Sequence, residues 1–166
     1  MKKKIFILSV LLLLLVGCGM ANTPTSKVEE LLMKYQKVDS DISSGINDVI
    51  AEQNFTEDHA NRYRDLLTKQ YRNLSYDVKD EVIDGNDATV TVQIEVVDYK
   101  NAIGDLTFDS TIYTKETYDE EKLYRLENAK NKVTYTLDLT LTKSDDGVWK
   151  LNALTNEQIK KIQGMY

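Results

Sequence analysis

Apolar positions along the chain fall into three kinds of spacing, and each predicts a different element. Ile5 to Val16 is apolar throughout except for Ser9. From Val28 onward the apolar residues Leu31, Leu32, Tyr35, Val38, Ile42, Ile46, Val49 and Ile50 follow in steps of three and four, which mark one helical face. Ser26 with Glu29 three residues later reads as a capping box at its start. Ser43-Ser44-Gly45 weakens the helix, so the spacing predicts two helices or one with a bend there. Thr56 opens a third helix, with Phe55 and Ala60 placed as a hydrophobic staple. Its inner face is Ala60, Tyr63, Leu67, Tyr71 and Leu74, and Arg62, Arg64, Lys69 and Arg72 form a solvated basic face.

The period then changes to two. Leu74, Tyr76, Val78 and Val82 alternate with polar residues, interrupted by Asp80. Asp84-Gly85-Asn86-Asp87 is hairpin-turn chemistry, because glycine takes a positive φ without steric cost. Ala88, Val90, Val92, Ile94 and Val96 then alternate with Thr89, Thr91, Gln93 and Glu95, the pattern of a half-buried antiparallel strand. Lys100 to Glu116 has no period and predicts a loop or a short irregular strand. Thr117 with Glu120 marks a capping box for a polar helix to about Lys130. Val133, Tyr135, Leu137, Leu139 and Leu141 alternate with polar residues, Ser144 to Gly147 turns, and Val148 to Ala153 returns with Trp149 and Leu151 on one side. Thr155 with Gln158 caps a last helix carrying Ile159 and Ile162 before Gly164. The fold class is therefore α+β: N-terminal helices packed on a curved antiparallel sheet of about four strands, with a short C-terminal helix.

The first apolar run has its own meaning. Lys2, Lys3 and Lys4 precede it, and its twelve residues make roughly 18 Å of helix against a hydrocarbon core of ~30 Å. That is a signal peptide rather than a span. Leu15-Val16-Gly17-Cys18 closes it and resembles the lipobox of bacterial lipoproteins. The resemblance implies a diacylglycerol thioether on Cys18, cleavage between Gly17 and Cys18, and a place on the outer face of the cell membrane, in a Gram-positive envelope. An ordinary secretory cleavage near Gly19-Met20-Ala21 is the competing reading. The expected organisation is a signal peptide over 1–17, a lipidated tether over 18–26 and one α+β domain over 27–166. Two acyl chains suffice for a stable anchor, where one gives only marginal binding.

Beyond the leader lie 149 residues, the size of one domain able to bury a core without staples. Cys18 is the only cysteine, so no disulfide forms. The leader holds three of the 21 basic residues and none of the 27 acidic ones, so the remainder carries a net charge of −9. Such a balance speaks against nucleic acid, whose binding rests on neutralising phosphates, and against a polybasic grip on anionic lipid.

Candidate chemistry is sparse. His59 is the only histidine and stands at the third position of its predicted helix, where exposure is expected. With Cys18 acylated there is no free thiol, and no glycine-framed serine elbow exists. Asp39-Ser40-Asp41 begins like a calcium loop, but Ser44 and Ile50 occupy its sixth and twelfth positions. One histidine and no free cysteine do not make a zinc site. No catalytic, cofactor-binding or metal residue is expected, and Cys18 is the one site residue.

Early helices, long strands and the closing Asp146-Gly147-Val148-Trp149-Lys150-Leu151 strand resemble the nuclear-transport-factor-like, or cystatin-like, superfamily. The helix after the last strand and the Lys100–Glu116 insertion depart from its pattern. The resemblance implies a pocket between sheet and helices. In enzymes of this kind a carboxylate works with tyrosines, which here points to Asp80 or Asp138 with Tyr76 or Tyr135. Two functions are expected on these grounds. The first is a non-catalytic accessory module that binds another envelope protein through a sheet face or the Lys100–Glu116 segment. The alternative is a carrier of a small apolar ligand, with an enzyme behind both. A chain this short does not provide the two lobes of a transporter's binding lipoprotein.

Overall fold

Alternation in β2 (Asp87–Val97) sets the inside and outside of the whole domain. Its residues Ala88, Val90, Val92, Ile94 and Val96 are buried, while their neighbours are half-exposed. The computed structural model describes residues 21–166, so the signal-peptide segment and Cys18 lie outside the described residues. In chain order the elements are α1 (Pro24–Lys37), α2 (Ser40–Ala51), α3 (Glu57–Arg72), β1 (Ser75–Asp84) and β2. After these come α4 (Tyr99–Ile103), α5 (Lys115–Glu127), β3 (Lys132–Lys143), β4 (Trp149–Leu151) and α6 (Asn156–Gln163). The four strands form an open antiparallel sheet in the order β1-β2-β3-β4. The architecture is α+β, with the N-terminal helices packed on the sheet and a short C-terminal helix.

β3 faces β2 in continuous register, so Leu139 lies beside Val90 and Leu137 beside Val92 on the inner face. α1 lies against that face and buries Val28 and Leu32 completely. α3 packs on α1 and α2, where Tyr35 and Tyr71 meet edge to face at 5.0 Å, and α5 packs on α3. The threonine-rich face of β2 and β3 carries no helix among the described residues and is half-exposed to exposed.

Three boundaries differ from the sequence expectation, each for a local reason. α1 begins at Pro24, and its N-cap is Thr23, whose side chain accepts from the Ser26 amide while Ser26 answers the Thr23 amide. Proline at the first helical position gives up only an N–H that had no helical partner. The break between α1 and α2 falls at Val38, with φ 50°, and Asp39 caps α2 by accepting from the Ile42 amide at 3.1 Å. Ser43-Ser44-Gly45 stays helical because it is exposed while Ile46 and Ile50 bury the opposite side. α5 starts three residues early: Thr114 pairs reciprocally with Thr117, which is the third helical residue rather than the cap.

β1 pairs with β2 but skips one residue at Lys79, between the Val78–Val92 and Asp80–Thr91 pairs. The bulge inverts the alternation. Val82 consequently sits beside Thr89 on the open face and is 58% exposed, rather than joining the core. Glu81 turns inward instead. Its carboxylate accepts from the Thr25 amide at 2.8 Å and hydroxyl at 2.7 Å, supplying the negative charge that the first turn of α1 lacks. At the other edge β4 pairs with only Leu141, Thr142 and Lys143, and the free carbonyls of Thr140 and Asp138 accept from the Asn152 amide and the Gln158 side chain.

Candidate functional site

Asp80 and Tyr76, proposed from the sequence as partners, lie on opposite faces of β1 because the bulge separates them. Asp80 is exposed and accepts from the Glu81 amide. Asp138 is on the open face, where the Thr91 hydroxyl donates to it at 2.7 Å, whereas Tyr135 is on the inner face and donates to the Tyr166 carbonyl at 2.9 Å. Burial raises the phenol of Tyr76, with Glu29 adding to it, and burial likewise raises that of Tyr135. Neither carboxylate–tyrosine pair is brought together.

His59 is buried at 6% exposure, which corrects the expectation that it faces solvent. The signal was present in the spacing: Phe55, His59 and Tyr63 are four apart, one helical stripe that packs under α5. His59 Nε2 lies 3.2 Å from Glu120, and Nδ1 is buried without a hydrogen-bond partner. Arg62 grips Glu127 with two parallel bonds, Nε to Oε1 at 2.8 Å and Nη2 to Oε2 at 2.9 Å, and reaches Glu120 through Nη1. These bonds hold the guanidinium well above its ordinary value, and the Arg62 bond holds the Glu120 carboxyl below the usual range. Arg62 therefore belongs to a junction between α3 and α5, not to a solvated basic face.

Beside this junction Asp119 is buried and paired with Lys115. Lys122 lies over the rings of Phe55 and Tyr63 at 5.7 and 5.8 Å and donates to Gln53 at 3.2 Å. Burial lowers its ammonium pKa. Arg62 with Glu120 and Glu127 joins α3 to α5, the Lys115–Asp119 pair lies within α5, and Glu127 also lines a recess beside Leu66 and Leu126. Among the described residues no group of three or more His, Cys, Asp or Glu side chains is placed to hold a metal ion.

The segment between α4 and α5 has a different character. Gly104, at φ 61°, ends α4, and Arg125 holds the turn by donating to the Ile103 carbonyl at 2.8 Å. Asp109 then organises the middle. Its carboxylate accepts from the Thr111 amide at 2.8 Å and hydroxyl at 2.7 Å, bonds that lower its pKa, and its carbonyl accepts from the Tyr113 amide. Leu106 is buried, but Phe108 and Ile112 are 52% and 70% exposed. Phe108 and Tyr113 meet Tyr118 edge to face at 5.5 and 5.9 Å. Phe108 and Ile112 are thus two large apolar side chains left exposed on one hydrogen-bonded segment.

The interior between α1 and the sheet is filled by Val28, Leu32, Val90, Val92, Ile94, Leu137 and Leu139. Recesses of 210 to 400 Å³ lie at the surface of the described residues. The largest runs beside Leu66, Lys69, Val97 and Lys132, and one of 330 Å³ lies between α2 and α6, lined by Tyr35, Ile42, Ile46, Val49, Tyr71 and Ile159. No helix among the described residues is long and apolar enough to cross a membrane. No family model, curated protein or solved structure matches the chain.

Proposed function

We propose that the chain is a bacterial lipoprotein, held at the outer face of the cell membrane by diacylglycerol on Cys18. Its domain acts as a non-catalytic accessory module that binds an envelope protein through the segment between α4 and α5. The observation that carries this reading is the exposure of Phe108 and Ile112 on a loop fixed by its own hydrogen bonds, over an interior already filled. A rigid apolar patch loses little entropy on binding. Fatty-acid labelling of cells tests the anchor, with label on the wild-type chain and none on Cys18→Ala. Crosslinking from membranes tests the module: one protein partner captured by wild type and lost with Phe108→Ser/Ile112→Ser supports it, and an unchanged capture pattern contradicts it.

The apolar lining of the recess between α2 and α6 favours a second reading, carriage of a small apolar ligand. It differs in place from the sheet–helix pocket expected from the sequence. Native mass spectrometry of protein purified from cells distinguishes the two, since a carrier retains a bound small molecule.

A further inference from the structure

The sheet grips the chain already within the tether expected over 18–26. Asn22 donates through Nδ2 to the Gly147 carbonyl at 2.8 Å, and its Oδ1 accepts from the Trp149 amide at 3.0 Å, fixing it to the β3–β4 turn. Three residues later Thr25 is bonded to Glu81 near the β1–β2 turn. The two turns adjoin, since the Lys143 amide donates to the Asn86 carbonyl at 2.7 Å. We infer that this end of the sheet is the face the domain turns toward the bilayer, and that a zwitterionic lipid surface is the partner it fits.

The inference rests on the proposed lipid at Cys18, and two arguments give it content. Three residues lie between Cys18 and Asn22, and the four steps from one to the other span at most about 14 Å when fully extended. Whatever its tilt, the domain cannot lift the Asn22 attachment further than that from the lipidated residue. The opposite end of β2, at Val97, is about 33 Å along the strand. The end near the tether exposes Val82, Ile83 and Val148 beside Asp84, Asp87 and Asp145. The apolar side chains suit the headgroup boundary, while the carboxylates are repelled by anionic lipid and not by zwitterionic lipid.

Trp149, the only tryptophan, reports this directly because it lies at the gripped end. The chain from Cys18 to Tyr166 is coupled through its single thiol to maleimide lipid in phosphatidylcholine vesicles containing dansyl-headgroup lipid, and energy transfer from tryptophan is measured. A Trp149→Phe/Tyr124→Trp variant moves the donor to α5, beside Asp98 at the far end of β2. Transfer from position 149 is expected to exceed that from 124 by about threefold or more, and to fall when ten Gly-Ser residues are inserted between Met20 and Ala21. In phosphatidylglycerol vesicles at low salt the transfer from 149 is expected to drop, and to recover as salt screens the carboxylates. Equal transfer from 149 and 124, or closer approach on the anionic lipid, overturns the inference. Hydrogen exchange on the unsubstituted chain gives an independent reading: attachment should slow amides 80–87 and 143–149 and leave 98–104 unchanged. Because the lipid is attached chemically, the outcome does not depend on whether cells acylate Cys18, which fatty-acid labelling decides.

Discussion

Gln70 stands in for a missing strand beside Val97. The Val97 amide donates to Gln70 Oε1 at 3.0 Å, and Gln70 Nε2 donates back to the Val97 carbonyl at 2.8 Å and to the Gln163 carbonyl at 3.1 Å. β1 begins at Ser75, opposite Glu95, so no residue of β1 pairs with Val96 or Val97. A buried carboxamide from α3 takes the place a strand would fill, and ties α6 to the same point. Gln70→Leu removes donor and acceptor together and takes the side-chain partner from the part-buried Val97 amide and carbonyl and from the buried Gln163 carbonyl. Urea unfolding should show a loss of about 3 kcal/mol. A loss within experimental error would mean that water reaches Val97 and the bracket is dispensable.

The same corner sets apart two glycines. A Cβ on Gly164 would stand 2.0 Å from the Val97 carbonyl oxygen and 2.5 Å from Gln70 Nε2, at a φ of +71° that side chains disfavour. Gly164→Ala should cost about 2 kcal/mol or more and release α6, visible as a lower Tm and faster exchange of the α6 amides. Gly45 in α2 has open space around it and helical φ. Gly45→Ala should therefore stabilise the domain by about 0.5–1 kcal/mol.

His59 presents a buried nitrogen, Nδ1, that no protein group among the described residues satisfies. Replacing it by an apolar side chain of similar size removes that cost, so His59→Leu should be neutral or stabilise by up to about 1 kcal/mol. Arg62→Ala acts oppositely, because it strips Glu120 and Glu127 of their shared cation. Its cost should be about 1 kcal/mol at low salt and smaller at high salt, since the carboxylates are half-exposed. Denaturant titrations at two ionic strengths separate the two; a salt-independent Arg62 effect would assign it to packing of the side-chain stem.

Alkaline pH should unfold the domain through its buried phenols. Burial pushes those of Tyr63 and Tyr99 up to about 12 from an ordinary 10.0, and raises those of Tyr35 and Tyr71 as well. Between those values the unfolded chain has released protons that the folded chain keeps. Stability is therefore full below pH 10 and falls as pH rises through the interval toward 12. Melting curves combined with tyrosinate absorbance should show ionisation and unfolding together. Complete ionisation with the fold intact would show that these rings are reached by water.

Where one side-chain pattern met one buried face, the sequence was sufficient. β2 and β3 are read directly from alternation, and α3 and α6 from their caps, because burial on one face forces those periods. β1 misled because the bulge at Lys79 changes phase midway, so apolar Val82 lies on the open face while charged Glu81, still exposed, lies on the face that carries α1. α5 misled because Thr114 and Thr117 cap it without an acidic residue. The segment after α4 had no period to read, since turns held by Asp109 and Arg125 shape it. His59 was placed by its helical position, although its spacing from Phe55 and Tyr63 carried the better signal.

The grips on Asn22 and Thr25 also decide how the molecule answers force. A pull on the chain at its tethered end reaches the β3–β4 turn through Asn22 before it reaches α1, and β1 through Thr25 in the first turn of α1. The pull is shared between two hairpins, and the side-chain bonds of both grips must break before it can peel α1 from the sheet. Without those grips the same pull would unwind α1 one turn at a time from Pro24. The domain is thus built to be held from the end at which it is proposed to be anchored.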